Sequence, residues 1–369
     1  MSASLADLVT NHEVVVCTGT GGVGKTTAAA TIAIEGALQG QKAIVVTIDP
    51  ARRLADALGI ERQTGQDGRS VAGLGNEASM IEGPWPGELW ATMLDTRSTF
   101  DGLVARHAES LEQSEQILAN PFYRNISAAL SGTQEYMAME RLHTLHDTGE
   151  YDLIVVDTPP SRNALDFLEA PNQLARFLDH PVYRMLTAPG RGVMKIVNVA
   201  AQTMLRTVGK LVGAGVLDDT IDFFRAFEGL EEGFRGRSLE VLALLESERT
   251  AFVLVASPRA DTVAEAGWFA NRLQEAAIEV GALVVNRMLP RFGTPDALAA
   301  ALAHTDVSTQ ERRANLTQLE GVAASEEAHL EELARQLAPA PVVRVPELSS
   351  DVHDLDGLIE VGSYLFDRA

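Results

Sequence analysis

A single cysteine, Cys17, stands in 369 residues. It excludes an internal disulfide and fits a reducing compartment. It equally excludes a self-contained thiolate site for zinc or an iron–sulfur cluster. Bases are scarce: 30 Lys+Arg face 51 Asp+Glu, a formal net charge of −21. Nucleic acid and anionic lipid surfaces both need clustered cations, so the chain is expected to be a poor general binder of either. The N-terminal stretch MSASLADLVTNHEVVV has no basic segment ahead of an apolar run, so no signal peptide is read there. No apolar run is long enough to span a bilayer. The nearest, Val193–Leu217, carries Lys195, Asn198, Gln202, Arg206 and Lys210. That three- or four-residue spacing describes an amphipathic helix. The expectation is a cytoplasmic protein that is not transmembrane.

What the chain does have is apolar residues, 46% of the total, enough for a sizeable core. Glu13–Thr18 is a short apolar run that reads as a buried strand. A glycine-rich loop follows, then an alanine-rich helix to about Leu38, which Gly40 ends. Ala43–Ile48 reads as the next strand, so the opening is strand–loop–helix–strand, the pattern of a parallel α/β sheet. Glu61–Gly87, with Pro84 and Pro86, reads as a long loop. Further strands are expected at Glu88–Leu94, Tyr151–Asp157, Thr250–Ala256, Ala282–Val285 and Val342–Val345. Helix formers dominate Thr96–His146 and Arg162–Glu246. The expected fold is therefore α/β, a mostly parallel central sheet flanked by helices. One domain over 1–369 would carry a helical subdomain formed by insertions at about 96–146 and 171–246.

Gly19-Thr20-Gly21-Gly22-Val23-Gly24-Lys25-Thr26 matches the complete P-loop pattern between a strand and a helix. Glycines let backbone N–H groups curl around phosphates, and the helix N-terminus adds its dipole. Lys25 suits the β- and γ-phosphates, the Thr26 hydroxyl suits Mg2+, and Thr27 falls near the α-phosphate. ATP and Mg2+ are the cofactors this implies. Asp157 ends a buried strand, where P-loop proteins place the acid that holds the metal, although a strand-end aspartate can also cap a helix. Asp49-Pro50 ends another strand and also reads as an ordinary turn.

Gly-Gly-Val-Gly-Lys-Thr-Thr at 21–27 resembles the deviant P-loop of the ArsA family of dimeric ATPases, which includes arsenite-pump ATPases and tail-anchored-protein-targeting ATPases. Thr47-Ile-Asp49-Pro-Ala51 resembles the family's switch I, whose aspartate orients or activates the attacking water. Asp157-Thr-Pro-Pro-Ser-Arg-Asn-Ala-Leu-Asp-Phe-Leu168 resembles switch II, in the form closest to actinobacterial anion-transporting ATPases. By the same resemblance Asn286, in Val285-Asn286-Arg287, contacts adenine, and Pro346-Glu347-Leu348 flanks it. Glu265, at a set distance from Pro258, matches a nucleotide-contacting glutamate.

The departures are specific. Thr20 stands where the family carries a lysine that reaches the partner's nucleotide. The zinc-binding CxxC and the arsenite-binding cysteines are absent. Two assemblies follow from Thr20. A paralogue bearing the lysine completes the site in a heterodimer, or Arg52, Arg53 or Arg162 substitutes for it. The resemblance also implies a hydrophobic client or membrane-protein partner handled by the helical insertions. Met185, Met194 and Met204 suit an adaptable groove and equally suit an ordinary core. His107, His143, His146 and His180 lack a tight metal spacing and read as packing or surface residues, and Glu326–Glu332 as a solvated helix face. The expected activity is that of a Mg-ATPase, homo- or heterodimeric. The alternative is a weakly hydrolysing, nucleotide-binding regulatory subunit paired with an active paralogue.

Overall fold

The computed structural model describes residues 4–48, 53–58, 77–121, 123, 133–158, 222–223, 226, 230–291 and 309–368. Two compact units divide the chain. The first is Met1–Met93, Leu145–Leu165 and Glu246–Ala369, and the second is Leu94–Thr144 and Asp166–Leu245.

Among the described residues the first unit is built on eight strands: β1 Val14–Gly19, β2 Lys42–Thr47, β3 Ser79–Ile81, β4 Glu88–Met93, β5 Leu153–Asp157, β6 Thr250–Ala256, β7 Val280–Met288 and β8 Val342–Pro346. They form one sheet in the order β3-β4-β2-β5-β1-β6-β7-β8. Every pairing is parallel except β3 with β4. The central strands read as unbroken apolar runs because both faces are covered: all six residues of β1 and all five of β5 are buried. Each valine or isoleucine so enclosed contributes about 1.5–3 kcal/mol. Two differences from the sequence expectations stand out. Ser79–Ile81, inside the stretch read as loop, pairs with β4 as an antiparallel edge. β7 runs past Val285 to Met288, with a register irregularity against β8 that lets Asn286 and Arg287 leave the regular pleat.

The helices of this unit include α1 Leu5–Asn11, α2 Lys25–Leu38 and α3 Arg53–Ala57. Ser4 and Asp7 form a reciprocal capping box on α1. Ala28, Ala29, Ala30, Ala33 and Ala37 keep the buried side of α2 small, so the helix lies close on the sheet. Gly40, at φ +87°, turns the chain just past its end. Beyond the second unit come α8 Ala260–Glu275, α9 Thr309–Gln336 and α10 Leu355–Leu365. α10 covers α2: Thr31 Oγ1 donates to the Leu358 carbonyl at 3.5 Å, and Arg368 pairs with the buried carboxylate of Glu35. The acidic run on α9 is only partly solvated. Glu326 accepts the Leu289 N–H at 2.8 Å and Glu327 takes Arg344 at 2.9 and 3.1 Å. No helix among the described residues is long and apolar enough to cross a membrane.

The second unit contains α4 Thr96–His107, α5 Leu111–Ala119, most of α6 Thr133–Thr148, and α7 Glu231–Leu245. Its aromatic core joins Phe100, Tyr123 and Phe234, with ring centroids 5.4–5.9 Å apart from Phe100 to the other two. The buried Glu140 carboxylate on α6 accepts from Arg237 Nε at 3.1 and 2.9 Å and from Arg106 Nη1 at 3.1 Å. Val193–Leu217, the three methionines of the second insertion and His180 lie outside the described residues.

Candidate functional site

The parallel register brings the site together. β2 and β5 end level, with Thr47 beside Asp157, and β1 continues past the pairing of Cys17 with Asp157 to Gly19. The crevice at the carboxyl ends of such strands is where open α/β sheets hold ligands. From β1 the chain turns through residues 19–24 directly into α2.

Two glycines of that turn admit no side chain. A Cβ on Gly19 would sit 2.0 Å from the Val255 carbonyl oxygen of the neighbouring strand. Gly24, the residue before α2, has φ +96°, and its Cβ would strike Asn286 Nδ2 at 2.2 Å. The two glycines therefore let the loop lie directly against β6 and the Asn286 side chain.

Lys25, the first residue of α2, is 6% exposed, and its Nζ donates to the Thr20 carbonyl at 2.9 Å. Val23 is buried and locks the loop to the core. The Thr26 hydroxyl donates to Asp157 Oδ2 at 2.8 Å, and Thr47 Oγ1 donates to the same oxygen at 2.9 Å. Asp157 is 1% exposed. Beside it, Thr158 donates its N–H and its hydroxyl to the Cys17 carbonyl at 3.3 and 2.9 Å. Burial raises the Cys17 thiol far above its ordinary range, the Asp157 carboxylate raises it further, and Lys25 opposes them. The thiol is therefore a protonated core group and no nucleophile.

Above the loop lies a cavity of about 700 Å³, the size class of cofactor sites. Gly22, Gly24, Lys25, Thr26 and Thr27 form one end, with Thr158 beside them. Asn286, Arg287, Pro346 and Leu348 line it from the ends of β7 and β8. Asn286 Nδ2 donates to the Val23 carbonyl at 2.9 Å, and its Oδ1 accepts the Arg287 N–H at 2.9 Å. Arg287, at φ +62°, leans its Nη1 toward the Gly22 carbonyl at 3.4 Å.

The structure thus gathers the P-loop residues, Asp157, Asn286, Arg287, Pro346 and Leu348. It does not bring Glu265 to the cavity: that residue is on the exposed side of α8. Asp49, Arg52 and Arg162 lie outside the described residues, as does the side chain of Arg53. Thr20 keeps a buried hydroxyl with no hydrogen-bond partner among the described residues. Thr47 belongs with the site through its bond to Asp157, although motif matching singled out only its neighbour Asp49. Asp56 and Ser350–His353 also line the cavity. They had no sequence signal, lying on a short helix and a loop without a recognisable motif.

The arrangement suits a polyanion. In a chain of net charge −21, a lysine buried at a helix start beside a glycine-lined loop has a structural use mainly as a counter-charge. Thr26 and Asp157 offer adjacent hydroxyl and carboxylate oxygens, the hard donor set of Mg2+.

Comparison with known proteins bears on the same residues. The family model described as anion-transporting ATPase matches residues 12–367. The chain is similar to a putative arsenical pump-driving ATPase 1 of Aquifex aeolicus, 23% identical over 359 residues, covering 96% of this chain and 78% of the relative. It is similar to the ATPase GET3 of Malassezia globosa, 27% identical over 279 residues, covering 74% of this chain and 72% of the relative. The ATPase GET3 of Phaeosphaeria nodorum is 24% identical over 280 residues, covering 75% and 77%.

Proposed function

The chain belongs to the anion-transporting ATPase family, and from that premise we propose that it binds ATP with Mg2+ over the P-loop and hydrolyses it to ADP. The change of nucleotide then switches a dimer in the cytoplasm that handles a hydrophobic client or a membrane-protein partner. The observation that carries the reading is the bond from the Thr26 hydroxyl to buried Asp157, beside buried Lys25, where β1 and β5 meet α2.

Each residue has a role its chemistry supports. Lys25 sets a cation against the β- and γ-phosphates. Thr26 and Asp157 would hold Mg2+, and Thr27 would lie by the α-phosphate. Bound Mg2+ supplies charge to the phosphoryl oxygens. Asn286, Arg287, Pro346 and Leu348 form the base end of the site. Asp49 polarises or positions the attacking water. The test is Asp49→Asn, which should still bind ATP yet hydrolyse it at least ~100-fold more slowly, the scale of a lost general base. Turnover at the wild-type rate would move the hydrolytic role elsewhere.

One observation favours a second reading. Thr20 offers the loop tip a hydroxyl and no cation. A trans cation can be worth ~10³–10⁵ in rate, so the chain would be a weakly hydrolysing subunit of a heterodimer with a paralogue that carries the lysine. Thr20→Lys should then raise turnover of the isolated protein, as mixing with the paralogue does. Wild type alone hydrolysing at the rate of the mixture would remove this reading.

A further inference from the structure

We propose that Asn286, with Arg287 as a weaker second, is a positioning residue that presets the phosphate-binding face of the P-loop. The inference rests on the nucleotide reading above and deepens it. A trans peptide is planar, so its N–H points opposite to its C=O. Asn286 Nδ2 holds the Val23 carbonyl at 2.9 Å, and this turns the Gly24 N–H to the other side of the loop. Arg287 Nη1 approaches the Gly22 carbonyl and turns the Val23 N–H the same way. Two consecutive side chains at the end of β7 thus grip two consecutive carbonyls, leaving the following amide donors facing inward as an anion nest.

The grip is directional. Asn286 Oδ1 is taken by the Arg287 N–H at 2.9 Å. The carboxamide therefore has one end fixed as acceptor and the other as donor, and cannot flip without losing both bonds. The left-handed backbone of Arg287, at φ +62°, presents that N–H to Oδ1. The amide of Asn286 also fills the space where a Cβ on Gly24 would lie. Two of its three polar functions are thus committed to the chain, so its first task is to shape the loop. The 2.9 Å bond outweighs the 3.4 Å one, so Asn286 leads.

Tripolyphosphate separates this role from a contact with the base, because it has no base. Displacement of a fluorescent ATP analogue by Mg-ATP and by Mg-tripolyphosphate gives an affinity for each. Asn286→Ala should weaken both by the same factor, ~5-fold for one lost hydrogen bond. Asn286→Asp keeps the acceptor but opposes a carboxylate to the Val23 carbonyl, and should weaken both more. Arg287→Gly removes the weak grip and relieves the left-handed backbone. It should melt no lower than wild type while binding both ligands ~2-fold more weakly, the size of a long bond. This variant keeps the test valid if Asn286→Ala fails to fold. Loss for ATP with tripolyphosphate unchanged overturns the proposal, as does unchanged binding of both. A wild-type protein that binds neither ligand removes the nucleotide reading itself, and the positioning role with it.

Discussion

Glu140→Ala is expected to be a strongly damaging truncation in the second unit. Glu140 is 2% exposed and gathers Arg237, Arg106 and the Thr144 hydroxyl, the last at 3.2 Å. Removing one partner of a buried pair costs about 3–5 kcal/mol, because the other charge is left buried. Here the remaining charge is Arg237, whose side chain is 9% exposed. It retains Glu240 Oε2 at 3.3 Å, but that carboxylate is 60% exposed and screened by solvent. The low end, about 3 kcal/mol, is therefore expected. Arg106 is 47% exposed, so Arg106→Ala should cost less than about 1 kcal/mol. The double change Glu140→Leu with Arg237→Met should return to within about 1 kcal/mol of wild type, since no buried charge is then left alone. Urea unfolding followed by circular dichroism reads all three. Glu140→Ala costing no more than Arg106→Ala would refute the reasoning.

Gly24→Ala forces an L-residue into φ +96° and drives its Cβ against Asn286 Nδ2. It should destabilise by at least about 2 kcal/mol, one part backbone and one part the displaced Asn286 bond. In an Asn286→Ala background the second part should vanish, and equal costs in both backgrounds would contradict it. For His107, burial lowers the pKa below the ordinary 6.5, Arg106 and Arg237 lower it further, and Glu140 and Glu240 oppose them. The unfolded chain then binds the proton first, so stability is full above pH 6.5 and is lost as pH falls through that value toward the folded pKa. Urea midpoints at pH 7.5 and 5.5 should differ less in His107→Leu than in wild type, and an equal drop in both would assign the acid sensitivity to other groups.

The central strands were legible because they are covered on both faces. Val14–Cys17 and Leu153–Val156 have nothing polar to alternate with, and their apolar runs stand out. Ser79–Ile81 was illegible for the opposite reason: three residues with Met80 54% exposed leave no run and no alternation. The end of β7 was missed because Asn286 and Arg287 are polar, and they are polar because they serve the loop opposite. In the site, the glycine pattern and Lys25 were readable locally. The pairing of Thr26 and Thr47 on Asp157 spans 131 and 110 residues and exists only through strand register. Ser350–His353 had no such cue, since a cavity wall made by a loop without a motif looks like any other loop.

The central claim is that this P-loop holds the phosphates of Mg-ATP through Lys25. Isothermal titration of Mg-ATP into wild type and Lys25→Ala tests it most directly. Wild type should give a saturable one-to-one isotherm. Lys25→Ala should bind ~100-fold or more weakly, as expected for a lost buried charge-assisted contact. Equal affinity in the two proteins, or no binding by wild type, would contradict it.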